Sequence, residues 1–319
     1  MRERSTARRV VVLGYHEVGY VCLEELIKAG EEVVAVVTHH DDPNENGWYR
    51  SVAELARTHS IPVHTPNDVN KPIFVSSLMA LQPDILFSLA FRQIVSPDIL
   101  AIPPRGCINL HGSLLPKYRG RAPVNWVLVN GETETGATLH YMEAKADRGE
   151  IISQRVVTIS DTDTAISLHH KMTEASRELF RETWPLKKSG RAPRIPQDHS
   201  LSSYFGRRTP ADGKIDWVQP ARAIYNLIRA VTHPYPGAFT FHNGRKLFVW
   251  WGEVCDLQDE VQGQHPGEVI GVDSDEAIVV ASGEGALQVI SLQLDGEEEL
   301  GAGEFARRHH IGPGARLGS

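Results

Sequence analysis

The sequence has few features of secreted, membrane-spanning or metal-binding proteins. Only three cysteines occur among 319 residues, and none has the spacing of a disulfide framework or a zinc site. The longest apolar runs, such as 10–13 and 33–37, are far shorter than the roughly 20 residues that cross a bilayer. The basic start, residues 1–9, is followed by too few apolar residues for a signal peptide. We therefore expect a cytoplasmic protein without membrane insertion.

The sequence also lacks a positive charge excess and several familiar catalytic motifs. Lysine and arginine number 33 against 40 acidic residues, which gives a net charge of −7 and favours no nucleic-acid partner. No Gly-x-Ser-x-Gly nucleophile elbow, P-loop or Gly-x-Gly-x-x-Gly fingerprint is found. These absences argue against covalent serine catalysis and against the common nucleotide-binding loops. The histidine doublets at 39–40, 169–170 and 309–310 have no second Cys/His pair, so we expect no metal.

The first part of the chain alternates short β-branched runs with amphipathic stretches, which is typical of βαβ units in a parallel sheet. Strands are predicted at 10–13, 33–37, 61–63, 85–87 and 108–110, and helices between them near 23–30, 51–58 and 73–81. The fold class predicted is α/β, with a Rossmann-like, mostly parallel sheet domain over residues 1–190.

The later part of the chain has a different composition. Residues 191–204 are rich in Pro, Ser and charge and are predicted to be a linker. After a helix near 224–231, short strands separated by Gly-containing turns predict a small β-rich C-terminal domain over 205–319, of β-barrel-like, OB type.

The densest group of reactive side chains follows the strand at 108–110. Asn109 and His111 are two residues apart, so they share one face of a strand and lie at the carboxyl edge of the sheet, where open α/β folds bind ligands. An amide donor beside an imidazole suits acyl transfer, because the amide stabilises a developing oxyanion and the imidazole moves a proton. Loop capping is an alternative explanation for the pair.

Asp147 lies in a polar turn between two predicted strands. From such a turn its carboxylate could reach the imidazole and favour the protonated form. The alternative is that Asp147 closes the turn before Gly149.

Two further segments carry possible binding groups. Arg207 and Arg208 could clamp a diphosphate by charge-assisted hydrogen bonds, or they could belong to a solvated turn. Tyr235, in a proline-stiffened segment, could stack on a base or a pterin, or serve a structural role.

Three motifs together resemble the 10-formyltetrahydrofolate-dependent formyltransferases. They are NLHGSLLPKYRGRAP at 109–123, TGATLH at 135–140 and ADRG at 146–149. The resemblance covers nearly the whole chain, from about residue 10 to about residue 317. It implies that Asn109 stabilises the oxyanion, that His111 is the general acid and that Asp147 favours the protonated imidazole.

The resemblance also implies a folate donor, 10-formyltetrahydrofolate, and no metal. The residues expected to bind it are Gln93, Ile94, Val95, Arg121, Glu143, Ala144, Lys145, Ala146 and Asp147. The substrate-binding candidates are Ser113, Arg207, Arg208 and Tyr235. The segment before Gln93 varies within the family. This variation affects what the resemblance implies about the folate contacts, and it does not affect what it implies about Asn109, His111 and Asp147.

Within the family the likeness is to enzymes that N-formylate UDP-4-amino-4-deoxy-L-arabinose in lipid A modification and polymyxin resistance. The segments that carry it are 125–136, 205–210 and 235–239. Methionyl-tRNA formyltransferase is one alternative, but residues 253–304 are acidic with almost no Lys or Arg, which disfavours a tRNA partner. N-formylation of another UDP- or dTDP-linked amino sugar is a second alternative, and a non-catalytic binding protein a third. The sequence does not indicate an oligomeric state.

Overall fold

The computed structural model describes residues 7–40, 48–255, 263–272 and 277–318. Residues 1–6 of the basic start lie outside them. The chain divides into two compact units. Unit 1 comprises residues 1–123, 134–158 and 169–206, and unit 2 comprises residues 124–133, 159–168 and 207–319. Each unit is described separately below.

The centre of unit 1 is a seven-stranded sheet. Its strands are β1 (Arg9–Gly14), β2 (Glu32–Val37), β3 (Val63–His64), β4 (Ile85–Leu89), β5 (Cys107–His111), β7 (Glu134–Tyr141) and β8 (Ile151–Thr158). They lie in the order β3-β2-β1-β4-β5-β7-β8. The first five are parallel, and β7 and β8 are antiparallel to their neighbours. The predicted Rossmann-like, mostly parallel sheet is confirmed.

Four helices connect the parallel strands, and the first three lie where the sequence pattern predicts them. They are α1 (His16–Lys28), α2 (Val52–Thr58), α3 (Pro72–Ala80) and α4 (Pro97–Leu100). Two further helices contain residues of both units, α5 (Pro123–Val129) and α6 (Ala165–Lys188). The Ser51 side chain caps α2 by accepting from the backbone N–H of Glu54 at 3.2 Å. Proline occupies the first position of α3, α4 and α5, where its missing N–H costs no helical hydrogen bond.

The core of unit 1 forms where the helices cover the sheet. Strand β4 is buried along its whole length, as is expected for a central parallel strand. Phe87 on β4 packs edge-on against Phe180 and Trp184 of α6, with ring centroids 5.0 and 5.5 Å apart. This core fixes the position of the neighbouring strand β5, which carries Asn109 and His111.

Unit 2 contains an antiparallel sheet. Its helices are α7 (Ala221–Val231) and α8 (Ala302–His309), and its strands are β10 (Ala238–His242), β11 (Arg245–Cys255), β12 (Val269–Val272), β13 (Ile278–Ala281), β14 (Ala286–Leu294) and β15 (Leu300–Gly301). The strand order is β10-β11-β14-β13-β12, and β15 pairs with β14. The predicted β-rich second part of the chain, with a preceding helix near 224–231, is confirmed.

Short elements escaped the sequence prediction. Helices α4 and α8 were not predicted, and the loop after β5 contains a two-residue strand, β6 (Arg119–Gly120), which pairs with β9 (Tyr204–Phe205). Strand β9 follows the segment predicted as a linker. Residues 191–204 belong to unit 1, where Gln197 is buried. The division into domains at 1–190 and 205–319 stays a prediction.

In the part of the chain that the structure describes, no helix is both long enough and apolar enough to cross a membrane.

Candidate active site

The candidate site lies at the carboxyl end of β5, the edge at which parallel α/β sheets bind ligands. Asn109 and His111 point to the same side of this strand, and Asp147 approaches them from the loop after β7. Asp147 Oδ1 lies 3.6 Å from His111 Nδ1 and 3.7 Å from Nε2 of another histidine, His140. The structure therefore brings the three predicted catalytic residues together, and it adds His140 to them.

His140 fixes the orientation of the Asn109 amide. The two residues face each other across the β5–β7 pair, and Asn109 Nδ2 lies 3.0 Å from His140 Nε2. His140 Nδ1 lies 2.8 Å from the carbonyl oxygen of Tyr141, which can only accept, so Nδ1 carries the proton and Nε2 accepts from Asn109. One Asn109 N–H is thereby used, and the second remains to donate elsewhere.

Burial keeps His140 neutral. The side chain is 2 % exposed, and desolvation lowers its pKa to about 4 despite the opposing effect of the Asp147 carboxylate. A neutral ring is required for the Asn109 contact, because an imidazolium would have no free acceptor at Nε2. The sequence prediction missed this residue, since its role depends on the antiparallel register of β7 against β5.

The His111 ring is also held through one nitrogen. Its Nε2 donates to the carbonyl oxygen of Tyr118 at 2.7 Å, which leaves Nδ1 on the Asp147 side. The same loop is tied by Ser113, whose hydroxyl donates to the Lys117 carbonyl at 2.7 Å. Ser113 is fully buried and its hydroxyl holds the loop, and its contact with a substrate stays a prediction.

The Asp147 carboxylate is anchored from the loop that follows β5. Its Oδ2 accepts from the Gly120 backbone N–H at 2.9 Å. Gly120 has φ +98°, and a Cβ there would lie 2.2 Å from the Phe205 carbonyl oxygen, so only glycine fits. The second carboxylate oxygen is left to face the two histidines.

Gly149 closes the Asp147 turn against β7. A Cβ at this position would lie 1.8 Å from the Tyr141 carbonyl oxygen, so Gly149→Ala forces the backbone apart. We expect the free energy of unfolding to fall by about 1 to 3 kcal/mol, measured by urea denaturation. Gly206→Ala is the control, because nothing lies within 4 Å of a Cβ there. Equal stability of the two variants would contradict this prediction.

The residues predicted to bind folate lie along two segments. Ile94 is 62 % exposed, whereas Val95 is buried. Both ends of the Gln93 amide are occupied, since Oε1 accepts from Val69 N at 2.9 Å and Nε2 donates to Pro66 O at 3.2 Å. The Gln93 side chain thus holds the segment in place, and the contacts of Gln93, Ile94 and Val95 with folate stay predictions.

Arg121 lies next to this segment. Its Nη2 donates to the Arg92 carbonyl at 3.3 Å, so the exposed guanidinium is close to residues 92–95. The turn formed by Glu143, Ala144, Lys145 and Ala146 is exposed and leads directly into Asp147.

The remaining substrate-binding candidates belong to unit 2. Arg207 is exposed. The Arg208 guanidinium lies 4.6 Å from the Trp126 ring centroid and donates to Asp212 O at 2.8 Å, and burial lowers its pKa. Tyr235 is partly buried, which raises its pKa to about 12. Their roles toward a substrate stay predictions.

The histidine doublets do not form a metal site in the described residues, where no group of three or more His, Cys, Asp or Glu side chains is placed to hold a metal ion. His16 and His169 instead pack against each other, with ring centroids 4.4 Å apart and ring planes tilted by 53°. Burial and mutual repulsion lower the pKa of His16 to about 2, and burial lowers that of His169 to about 4.

These depressed values predict that acid destabilises the protein. Below pH 6.5 the unfolded chain takes up protons that folded His16, His140 and His169 do not bind, so stability present at pH 7 is lost as the pH falls. Each group contributes up to about 1.4 kcal/mol per pH unit. Urea unfolding at pH 7.0 and 5.5 tests this, because His169→Phe should reduce the loss between the two pH values by about 1 kcal/mol. An unchanged loss in that variant would refute the assignment.

Comparison with known proteins places this geometry in a family. The model of the formyl transferase family matches residues 8–183, and that of the formyl transferase C-terminal domain matches residues 207–310. Among solved structures, the fold is similar to an N-formyltransferase from Helicobacter canadensis in complex with folinic acid and dTDP-3-aminofucose. The TM-score is 0.70 at 23 % identity, over 88 % of this chain and 98 % of that one.

Two other solved structures share the fold. WlaRD, described as a sugar 3N-formyl transferase in the presence of dTDP and 5-N-formyl-THF, has a TM-score of 0.68 at 20 % identity, over 91 % of this chain and 99 % of that one. The methionyl-tRNA formyltransferase from Clostridium thermocellum has a TM-score of 0.54 at 16 % identity, over 79 % and 95 %. At these identities the likeness shows the fold. The family model alone spans more than half of the chain, and the chain belongs to the formyl transferase family as one of its enzymes.

Proposed function

We propose that this enzyme transfers a formyl group from 10-formyltetrahydrofolate to the amine of a nucleotide-linked amino sugar. The observation that carries the proposal is the convergence of Asn109, His111 and Asp147 at the carboxyl end of β5, within 4 Å of one another or of the bridging His140. The named ligands of two structural neighbours, folinic acid with dTDP-3-aminofucose and 5-N-formyl-THF with dTDP, support the choice of donor and acceptor.

The residues near the site fit a folate. An exposed apolar side chain, Ile94, lies in the segment contacted by the Arg121 guanidinium. A flat apolar ring system with carboxylates requires this combination of apolar surface and positive charge. When bound, the donor supplies a formyl carbon attached to N10.

Each catalytic side chain has a defined task in this proposal. As the amine forms a bond to the formyl carbon, negative charge develops on the formyl oxygen, and the second Asn109 N–H donates to it. The attacking amine nitrogen loses a proton to the His111 ring, the bond between the formyl carbon and N10 breaks, and N10 gains the proton from the same ring. His111 Nδ1 is the ring nitrogen available for that transfer, since Nε2 is held by Tyr118. The Asp147 carboxylate stabilises the imidazolium.

We further propose that the acceptor is UDP-4-amino-4-deoxy-L-arabinose, which would give the enzyme a role in lipid A modification and polymyxin resistance. The sequence resemblance over segments 125–136, 205–210 and 235–239 supports this acceptor. The three free cysteines support a cytosolic location.

A panel of acceptors tests the proposal. The purified enzyme is incubated with 10-formyltetrahydrofolate and, in parallel, with UDP-4-amino-4-deoxy-L-arabinose, dTDP-3-aminofucose or initiator Met-tRNA, and folate release is followed by absorbance. We expect the highest kcat/KM with the UDP-linked amino sugar. A preference for the dTDP sugar would replace the acceptor, turnover of the tRNA alone would reject the sugar class, and turnover of none would reject this formyl transfer.

A further inference from the structure

Gln197 connects a segment that sequence reasoning treated as a linker to the turn that carries Asp147. Its side chain is buried, with 8 % of the residue exposed. The amide Nε2 donates to two backbone carbonyls of the turn, Asp147 O at 3.0 Å and Gly149 O at 2.7 Å. Its Oε1 accepts from Arg119 Nη2. Both ends of the amide are therefore used, which fixes its orientation.

The turn that Gln197 holds is strained. Asp147 has φ +57°, in the left-handed region that side-chain-bearing residues avoid. Such a conformation costs about 1 to 3 kcal/mol and persists only where surrounding contacts impose it. The two hydrogen bonds from Gln197 Nε2 are contacts of this kind, because they hold the backbone on both sides of Arg148.

Arg119 connects Gln197, which binds the backbone of the turn, to Gly120, which binds the Asp147 carboxylate. It is 4 % exposed, and its Nη2 also lies 2.9 Å from His199 Nδ1. The next residue, Gly120, donates its N–H to Asp147 Oδ2. The segments that carry these residues pair as strands β6 and β9. Gln197 therefore binds the backbone of the turn, and Gly120 binds the Asp147 carboxylate.

We propose that Gln197 is a positioning residue for the formyl transfer: it holds Asp147 in the left-handed conformation that sets the carboxylate between His111 and His140. This inference rests on the proposed function. The charged and titratable groups near Asp147 are His111 and His140 from the sheet and Arg119 from the adjoining loop, and Arg119 also interacts electrostatically with Arg148. Gln197 carries no titratable group, and it acts on the carboxylate only through the backbone.

The first test asks whether Gln197 acts through Asp147. We expect Gln197→Leu to lower kcat by about 10- to 100-fold, since a misplacement near 1 Å costs rates of this order, with the KM of the formyl donor changed less than about 3-fold. In an Asp147→Asn background the same substitution should lower kcat by less than about 3-fold, because the carboxylate it positions is already absent. Equal losses in both backgrounds would show a purely structural role and overturn the inference.

Two companion variants separate positioning from folding. Gln197→Glu keeps the volume and an acceptor for Arg119 but replaces the N–H donors by a carboxylate oxygen that repels the Asp147 and Gly149 carbonyls, so its kcat should fall even under conditions in which circular dichroism shows the variant to be fully folded. Gln264→Leu, at an exposed glutamine of unit 2, should change neither kcat nor the circular dichroism spectrum. A Gln197→Glu enzyme with parental kcat would overturn the inference.

A second measurement needs no substrate. Amide hydrogen exchange at Gly120 reports its hydrogen bond to Asp147 Oδ2. We expect exchange at Gly120 to become at least about 10-fold faster in Gln197→Leu, because the carboxylate moves away once the turn relaxes. Unchanged exchange would refute the positioning role even if the reaction were a different one. If exchange at Gly120 is faster in Gln197→Leu but the parent enzyme transfers no formyl group, the proposed function is refuted and the positioning of Asp147 by Gln197 is not.

Discussion

Replacing His111 with alanine is expected to lower kcat by about 100- to 10,000-fold, the range for loss of a positioned general acid. The structure gives the reason. The Tyr118 carbonyl holds Nε2, the Asp147 carboxylate lies 3.6 Å from Nδ1, and the side chain is 7 % exposed, so little water is available to replace the ring as a proton donor. Single-turnover and steady-state rates with the formyl donor and amino sugar measure the loss.

His59→Ala is the matched control for this experiment. His59 is exposed at the end of α2, so its removal tests histidine loss without touching the site. Added imidazole should restore part of the rate in His111→Ala, because the ring leaves a buried space beside Asp147. A His111→Ala enzyme within about 5-fold of the parent would exclude proton transfer by this residue.

Asn109→Asp is expected to lower kcat by at least about 100- to 1000-fold. The substitution keeps the shape of the side chain but removes the N–H that donates to the developing oxyanion and places a negative charge in its stead. It also removes the donor that His140 Nε2 accepts from at 3.0 Å. The measurement is kcat and KM for both substrates, with the effect expected in kcat.

Asn109→Ala separates the two parts of this loss. It removes the donor without adding charge, so it should retain more activity than Asn109→Asp. If the aspartate variant were the more active of the two, the amide would not face a developing negative charge. Thermal unfolding of both variants checks that β5 and β7 still pair.

Local sequence pattern predicted most of the sheet because buried parallel strands have a distinctive composition. The β-branched runs at 10–13 and 33–37 became β1 and β2, with β1 one residue longer at both ends and β2 one residue longer at its start. Helix α4 was missed, since four residues give too little periodicity to distinguish a helix from a loop, and α8 was missed as well.

The strand period also predicted that Asn109 and His111 share a face, because successive residues of a strand point to opposite sides. The resemblance to a known family, not the spacing, connected Asp147 to them. The path of the loop after β5 determines what the Ser113 hydroxyl contacts, namely the backbone of its own loop, and local sequence pattern does not specify that path.

The sequence by itself determined most of the strands and helices along the chain, the two-residue spacing of amide and imidazole, and the motifs that identify the family. All of these follow from local periodicity and residue type. The tertiary structure decided which distant groups complete the site. The antiparallel register of β7 places His140, and a left-handed turn places the Asp147 carboxylate. Gln197 reaches this turn because residues 191–204 pack within unit 1. These contacts join residues 31 to 50 positions apart, and local sequence pattern does not specify such pairings because they depend on how the whole of unit 1 packs.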